Sequence, residues 1–183
     1  MTYSEKNVSN DFTLYLAVAG QNVSSFPYHA CAAHLYGPDG TGKAPEWCSP
    51  DTEVIDGTGT EALYDGILGA LAAVRERSIP ASSITIVVYN AGHQLLPIFG
   101  TRTLQARRDG RYFKWKHKPT LVRIDNEAEA LGITLGCRVV GCSASEEYER
   151  LNAVADDAAN RKQTFLDDIE AGTESFTRRK ARG

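Results

Sequence analysis

Glu61 and Asp65 stand four residues apart in the run "TEALYDGILGALAAV", so a helix through them places two carboxylates on one face. Two hard anionic oxygens side by side are the start of a site for a divalent cation such as Mg²⁺ or Mn²⁺. Glu146 and Glu147, in "SASEEYERLN", could complete it from elsewhere in the chain. The plainer alternative is that Asp65 is solvated at the helix edge. Cys142 offers a thiol, but no His or Asp stands beside it in sequence, and a buried or half-buried thiol is the simpler reading. His93 could act as a base or lie on the surface of a short helix, whereas His29 and His34 fall in a strand and read as structural.

The second chemical feature is basic. Eight Lys and Arg residues lie between Arg102 and Arg123 with one acid, Asp109, so that segment carries +7 and the rest of the chain −10 of the net −3. Tyr112, Phe113 and Trp115 are interleaved with Arg111, Lys114, Lys116 and Lys118. Cations that reach phosphates beside aromatics that stack or pack on sugars suit a nucleic-acid backbone. The segment Arg107, Arg108, Arg111, Lys114, Trp115, Lys116, Lys118 is the candidate contact surface. A solvated basic face with anchoring aromatics is the alternative.

The elements that must hold these residues follow from periodicity. Alternating or apolar runs predict strands over Phe12–Gly20 and Tyr28–Gly37, and a third over "EWCSPDTEVID" interrupted by Pro50. Short joins make these three an antiparallel meander. Leu63, Ile67, Ala70, Leu71 and Val74 recur at helical spacing after a capping threonine, Thr58 or Thr60. Ile84–Asn90 is β-branched and apolar, as a strand buried on both faces is. Strand, helix, strand implies a crossover and a parallel pair. "AGHQLLPIFG" reads as a short helix, "TLVRIDNEAEALGI" as an amphipathic helix, "TLGCRVVGC" as the last strand, and "EEYERLNAVADDAANRKQTFLDDIEAG" as a long helix.

The 183 residues fit a polar N-terminal tail over 1–10, one domain over 11–160, and a C-terminal helix extension with a basic tail over 161–183. The longest apolar run, Gly66–Val74, is nine residues, far short of the roughly 20 of a membrane span. No signal-peptide pattern opens the chain. Cys31, Cys48, Cys137 and Cys142 form no CxxC and no zinc spacing. Reduced thiols in a cytoplasmic protein are expected.

Several stretches together resemble ribonuclease H of the type 1 family. "YLAVAGQ" falls on the family's first strand, "AAHLY" on its second, and "TEALYDGILGALAAV" on its first helix. "ITIVVYNAG" falls on its fourth strand, "FKWKHKP" on its basic protrusion, and "VVGCSASEEYERLNAVADDAA" on its final strand, loop and helix. The resemblance implies a five-stranded mixed sheet, an antiparallel meander plus parallel strands, flanked by helices. It implies a two-metal hydrolase of RNA–DNA hybrids whose four carboxylates hold two Mg²⁺ ions. Carried over position by position, those acids become Ala19, Glu61, Asn90 and Asn152, and the loop histidine becomes Cys142. One acid remains of four. The loop that carries RNA-contacting asparagines in the family is here "DGTG", Asp56–Gly59. The expectation is therefore a nucleic-acid-binding protein, with RNA–DNA hybrid, double-stranded RNA or DNA as partner, that needs no metal cofactor and has lost cleavage. The alternatives are an active hybrid endoribonuclease rebuilt on Glu61 and Asp65 with Mg²⁺ or Mn²⁺, and a module that docks a protein partner or a second copy through the former active-site groove.

Overall fold

The computed structural model describes residues 10–20, 28–40, 47–48, 55–56, 59–89, 117–141 and 145–161. Strand β1 (Asp11–Gly20) pairs antiparallel with β2 (Tyr28–Tyr36), from Thr13 opposite Tyr36 to Gly20 opposite His29. Two short pieces, β3 (Trp47–Cys48) and β4 (Ile55–Asp56), both pair antiparallel with β2. Helix α1 (Gly59–Glu76) leads to β5 (Ser83–Tyr89), helix α2 (Lys118–Ala130) to β6 (Thr134–Val140), and helix α3 covers 146–161. β5 is parallel to β1 on one side and to β6 on the other, giving the order β3–β2–β1–β5–β6 with β4 also on β2.

The sheet thus corrects the expected five strands. Among the described residues four strands are full length, and of the third strand expected over 46–56 the two-residue pieces β3 and β4 are described, with 49–54 outside the described residues. Pro50, between them in sequence, has no N–H to donate to a ladder. The meander, the parallel crossovers and the predicted strands and helices otherwise fall where the periodicity put them. The short helix expected over 91–100, most of the basic segment and both chain ends lie outside the described residues.

Alternation along β1 sorts its side chains between two layers. Phe12, Leu14 and Leu16 join Cys31, Ala33 and Leu35 of β2 and Ile84, Ile86 and Val88 of β5 beneath α1 and α2. Leu63, Ile67, Leu71 and Val74 of α1, with Leu121, Ile124 and Ala128 of α2, close this larger core. The other face is built from methyls: Ala17, Ala30 and Ala32 meet Leu151, Ala155, Ala158 and Ala159 of α3.

The connections explain how the layers are held. The α2 end is closed by Gly132 at φ 68°, whose N–H reaches Glu129 O at 3.0 Å while Ile133 N–H reaches Ala128 O at 2.8 Å. This left-handed cap places Ile133 in the core and turns the chain directly into β6. The α1 end repeats the pattern with Ser78 at φ 52°, its N–H on Arg75 O and the next N–H on Val74 O.

Helix α3 is fixed at its start by polar contacts. Ser145 accepts from Tyr148 N–H at 3.3 Å, an N-cap, and donates to the Tyr89 hydroxyl at 3.1 Å. Arg150 grips Glu147 twice, Nη2 to Oε1 at 2.8 Å and Nε to Oε2 at 3.2 Å, and reaches Nδ1 of His34 on β2 at 2.8 Å. The Tyr36 hydroxyl also bonds Glu147. Burial alone would raise the Glu147 carboxyl, but Arg150, the Tyr36 hydroxyl and His34 together hold it below the ordinary carboxylate range.

Two outcomes test this packing. A Cβ on Gly66 would fall within van der Waals reach of the Cys31 sulfur and 3.3 Å from Leu16 Cδ2. Gly66→Ala should therefore cost about 1–2 kcal/mol, because overpacking outweighs the gain of up to about 1 kcal/mol in helix propensity. Urea denaturation will show the loss, and Cys31→Ala in the same chain should recover most of it. The lowered Glu147 carboxyl contributes stability that is present above the ordinary carboxylate pKa and lost as pH falls through its folded value. Glu147→Gln should cost about 1–2 kcal/mol at pH 7 and flatten the acid side of the stability–pH curve.

Candidate functional site

Because β1, β5 and β6 run parallel, their C-terminal ends share one edge of the sheet, where open α/β sheets place their ligands. Ala19 is the next-to-last residue of β1, opposite Ala30, half-buried at the margin of the α3 layer. Helix α1 starts at the same corner: the Cβ position of Gly59 lies 3.4 Å from Val18 Cγ1 and 3.5 Å from His29 Cδ2. That contact sets Glu61 in the first turn of α1, near the end of β1. Asn152 follows Leu151, which is fully buried against the sheet beside Ala17. β1 and α1 thus bring Ala19 and Glu61 toward this edge, and Asn152 sits on α3 beside the residue that packs on the sheet. Asn90, next after the last residue of β5, and Cys142 lie outside the described residues.

Sequence reasoning did not foresee the partner of the one acid that remains. His117, immediately before α2, places Nδ1 3.7 Å from Glu61 Oε1. Its ring meets Tyr64 edge-on at 5.5 Å, and burial raises the Tyr64 hydroxyl above its usual pKa. The pairing joins residues 56 positions apart, so no local pattern announces it. A protonated imidazole here would set one positive charge against the carboxylate.

The donors do not fit a pair of Mg²⁺ ions. A methyl at 19, a carboxylate beside an imidazole at 61 and a carboxamide at 152 offer one formal negative charge, and the sequence supplies only another carboxamide at 90. Two hard dications would keep most of their mutual repulsion in such a set. Asp65 is exposed on α1, and Glu147 is engaged by Arg150, Tyr36 and His34. Among the described residues no three His, Cys, Asp or Glu side chains gather as a metal site. His29 and His34 lie in β2 as expected, and His93 lies outside the described residues.

Of the basic contact residues, Arg107, Arg108, Arg111, Lys114, Trp115 and Lys116 lie outside the described residues, and Lys118 opens α2. Cys31 and Cys137 are free, and burial pushes the Cys137 thiol up to about 11, which makes it unreactive at neutral pH. Among the described residues the large hydrophobic side chain left exposed is Val122, on α2 and away from Ala19. No helix among them is long and apolar enough to cross a membrane.

Comparison with known proteins places this geometry. No family model matches the chain, and no curated protein matches it by sequence. Solved structures do. Ribonuclease H1 of the archaeon Halobacterium salinarum is 18% identical, with a TM-score of 0.54 over 82% of this chain and 98% of that one. LC11 ribonuclease H1, solved in complex with an RNA/DNA hybrid, is 13% identical, with a TM-score of 0.57 over 80% of this chain and 98% of that one. Foamy viral protease–reverse transcriptase in complex with double-stranded DNA is 13% identical, with a TM-score of 0.51 over 82% of this chain and 91% of that one. The mixed sheet and its flanking helices are therefore those of a ribonuclease H-like fold.

Proposed function

We propose that this protein binds a nucleic-acid backbone and does not cleave it by metal catalysis. The observation that carries the proposal is the donor set at the C-terminal edge of β1: Ala19 and Asn152 stand where acids would be needed, and the remaining Glu61 faces His117. Two further facts support the binding half. Residues 102–123 carry +7. Structures of the same fold include complexes with an RNA/DNA hybrid and with double-stranded DNA.

Neutral residues at the edge change affinity as well as chemistry. Four carboxylates without their metals would repel a phosphate chain. A methyl, two carboxamides and one glutamate beside an imidazole repel it far less. Arg107, Arg108, Arg111, Lys114, Lys116 and Lys118 supply the attraction, and Trp115 stacks on a base or packs on a sugar. The partner is a duplex, either RNA–DNA hybrid, double-stranded RNA or DNA, read through its backbone.

A cleavage assay on RNA–DNA hybrid in Mg²⁺ and in Mn²⁺ should give no more product than buffer. Cleavage that Glu61→Gln removes would instead establish the site rebuilt on Glu61 and Asp65. In that case either ion would also raise the melting temperature, since a ligand that binds only the folded state stabilises it. Binding to hybrid and duplex should fall steeply with salt. Replacing Lys114, Lys116 and Lys118 by Ala should shallow the log–log salt slope by about 2–3, roughly 0.9 per lost phosphate contact. A slope unchanged by the triple replacement would remove the basic segment from the interface.

A further inference from the structure

A hollow of about 630 Å³ opens on the α3 face of the sheet, lined by Asp11, Thr13, Tyr15, Tyr36, Tyr89, Ser145, Glu147 and the turn at Gly37–Gly40. On β1 and β2 its lining lies toward the end of the ladder opposite Ala19, where the register pairs Thr13 with Tyr36 and Tyr15 with His34, and Tyr89, the last residue of β5, closes it on the other side. Helix α3 begins at its margin, where Ser145 holds the Tyr89 hydroxyl. The alanine layer fills the sheet face farther along, so the hollow lies where large rings replace methyls.

We propose that this hollow binds a small organic cation of the guanidinium or substituted-ammonium class. Tyr15, Tyr36 and Tyr89 line it, with Tyr36 also against the His34 ring and Tyr89 against the Tyr148 ring, and cations are drawn to aromatic side chains of this kind. Tyr15 and Tyr36 stand edge to face at 5.4 Å, which holds their rings at an angle suited to a corner. Among the described residues the charged side chains of the lining are both acids, Asp11 and Glu147, the latter paired with Arg150. An anion would meet repulsion here, which separates this hollow from the nucleic-acid surface proposed above.

Glu147 is preset for the task. Arg150 occupies one lone pair on each oxygen and the Tyr36 hydroxyl another, and His34 Nδ1 lies 3.3 Å from Oε1. A carboxylate has about four such sites, so acceptor capacity remains. Its ionised form is favoured, since those same neighbours hold its carboxyl low. Asp11, at the exposed rim, accepts from Ser83 Oγ at 2.5 Å, which orients its carboxylate. Burial raises the Tyr36 and Tyr89 hydroxyls, so both rings stay neutral; Tyr36 donates its proton to Glu147, while Tyr89, which accepts from Ser145, keeps a proton to donate.

The test uses the full chain and a matched pair of probes, N-acetyl-arginine methylamide and its neutral citrulline counterpart, titrated by ¹H–¹⁵N NMR. Saturable binding of the arginine probe, at least about tenfold tighter than the citrulline probe, is the expected result. Asp11→Asn and Tyr15→Leu should each weaken it by about threefold or more, with circular dichroism confirming an intact fold. Equal affinity for the two probes would overturn the proposal, as would no saturation below about 10 mM. So would tighter binding of adenosine monophosphate, or binding that neither variant changes. None of these outcomes depends on whether the basic segment binds nucleic acid.

Discussion

Helix α3 rests on a sheet face made of methyl groups, and the placement of Asn152 depends on that contact. Ala17, Ala30 and Ala32 leave room for Ala155, Ala158 and Ala159 to come close, with Leu151 buried among them and Tyr15, Tyr148 and Val154 half-buried against the layer. Each methyl buries little apolar area, and hydrophobic stabilisation grows with area, at about 25 cal/mol per Å². The face under α1 and α2 is filled with Leu, Ile, Val and Phe and carries most of the burial. An alanine layer alone resists sliding poorly. The Ser145 cap and the Arg150–Glu147–His34 contacts supply the missing directionality, because hydrogen bonds fix a register that methyl contacts leave soft.

Charge decides what the corner beyond that layer can do. One pair of unit charges 4 Å apart is worth about 4 kcal/mol at an intermediate dielectric. A pair of dications held by one carboxylate, two carboxamides and a methyl would lack several such attractions, more than two neutral carboxamide oxygens return. Glu61 has a different situation. Its side chain is 38% exposed, and exposed ion pairs contribute about 0–1 kcal/mol. Stability therefore gives little reason for the Glu61–His117 contact. Its larger effect is on the local field, where a protonated imidazole would offset the remaining negative charge.

Much of the scaffold is legible in the sequence for physical reasons. Leu63, Ile67, Leu71 and Val74 repeat at helical spacing because one side of α1 faces the core. Ile84, Ile86 and Val88 are apolar because β5 is central, flanked by β1 and β6. The broken third strand is only half legible: Pro50 signals an interruption but does not say that both flanking pieces return to β2. Glu61 was found through family resemblance, and its partner His117 was not found, since a contact across 56 residues leaves no periodic trace. The tyrosine hollow is of the same kind. Tyr15 and Tyr36 are readable as facing one way on their strands, but only the register sets them side by side.

Ala19 links the two themes. It sits at the margin of the alanine layer, half-buried against that cluster, as well as near the C-terminal end of β1 at the sheet edge. With its cations in place, a carboxylate there would be compensated. Without them, the same carboxylate would be half-buried against methyls and a carboxamide, and burying an unpaired charge is costly. With carboxamides at 90 and 152, an apolar residue at 19 is the more stable choice, and it extends the close α3 contact by one more methyl. A lone carboxylate there would have to be buried without a cation, so each neutral residue in the corner lowers the cost of the next.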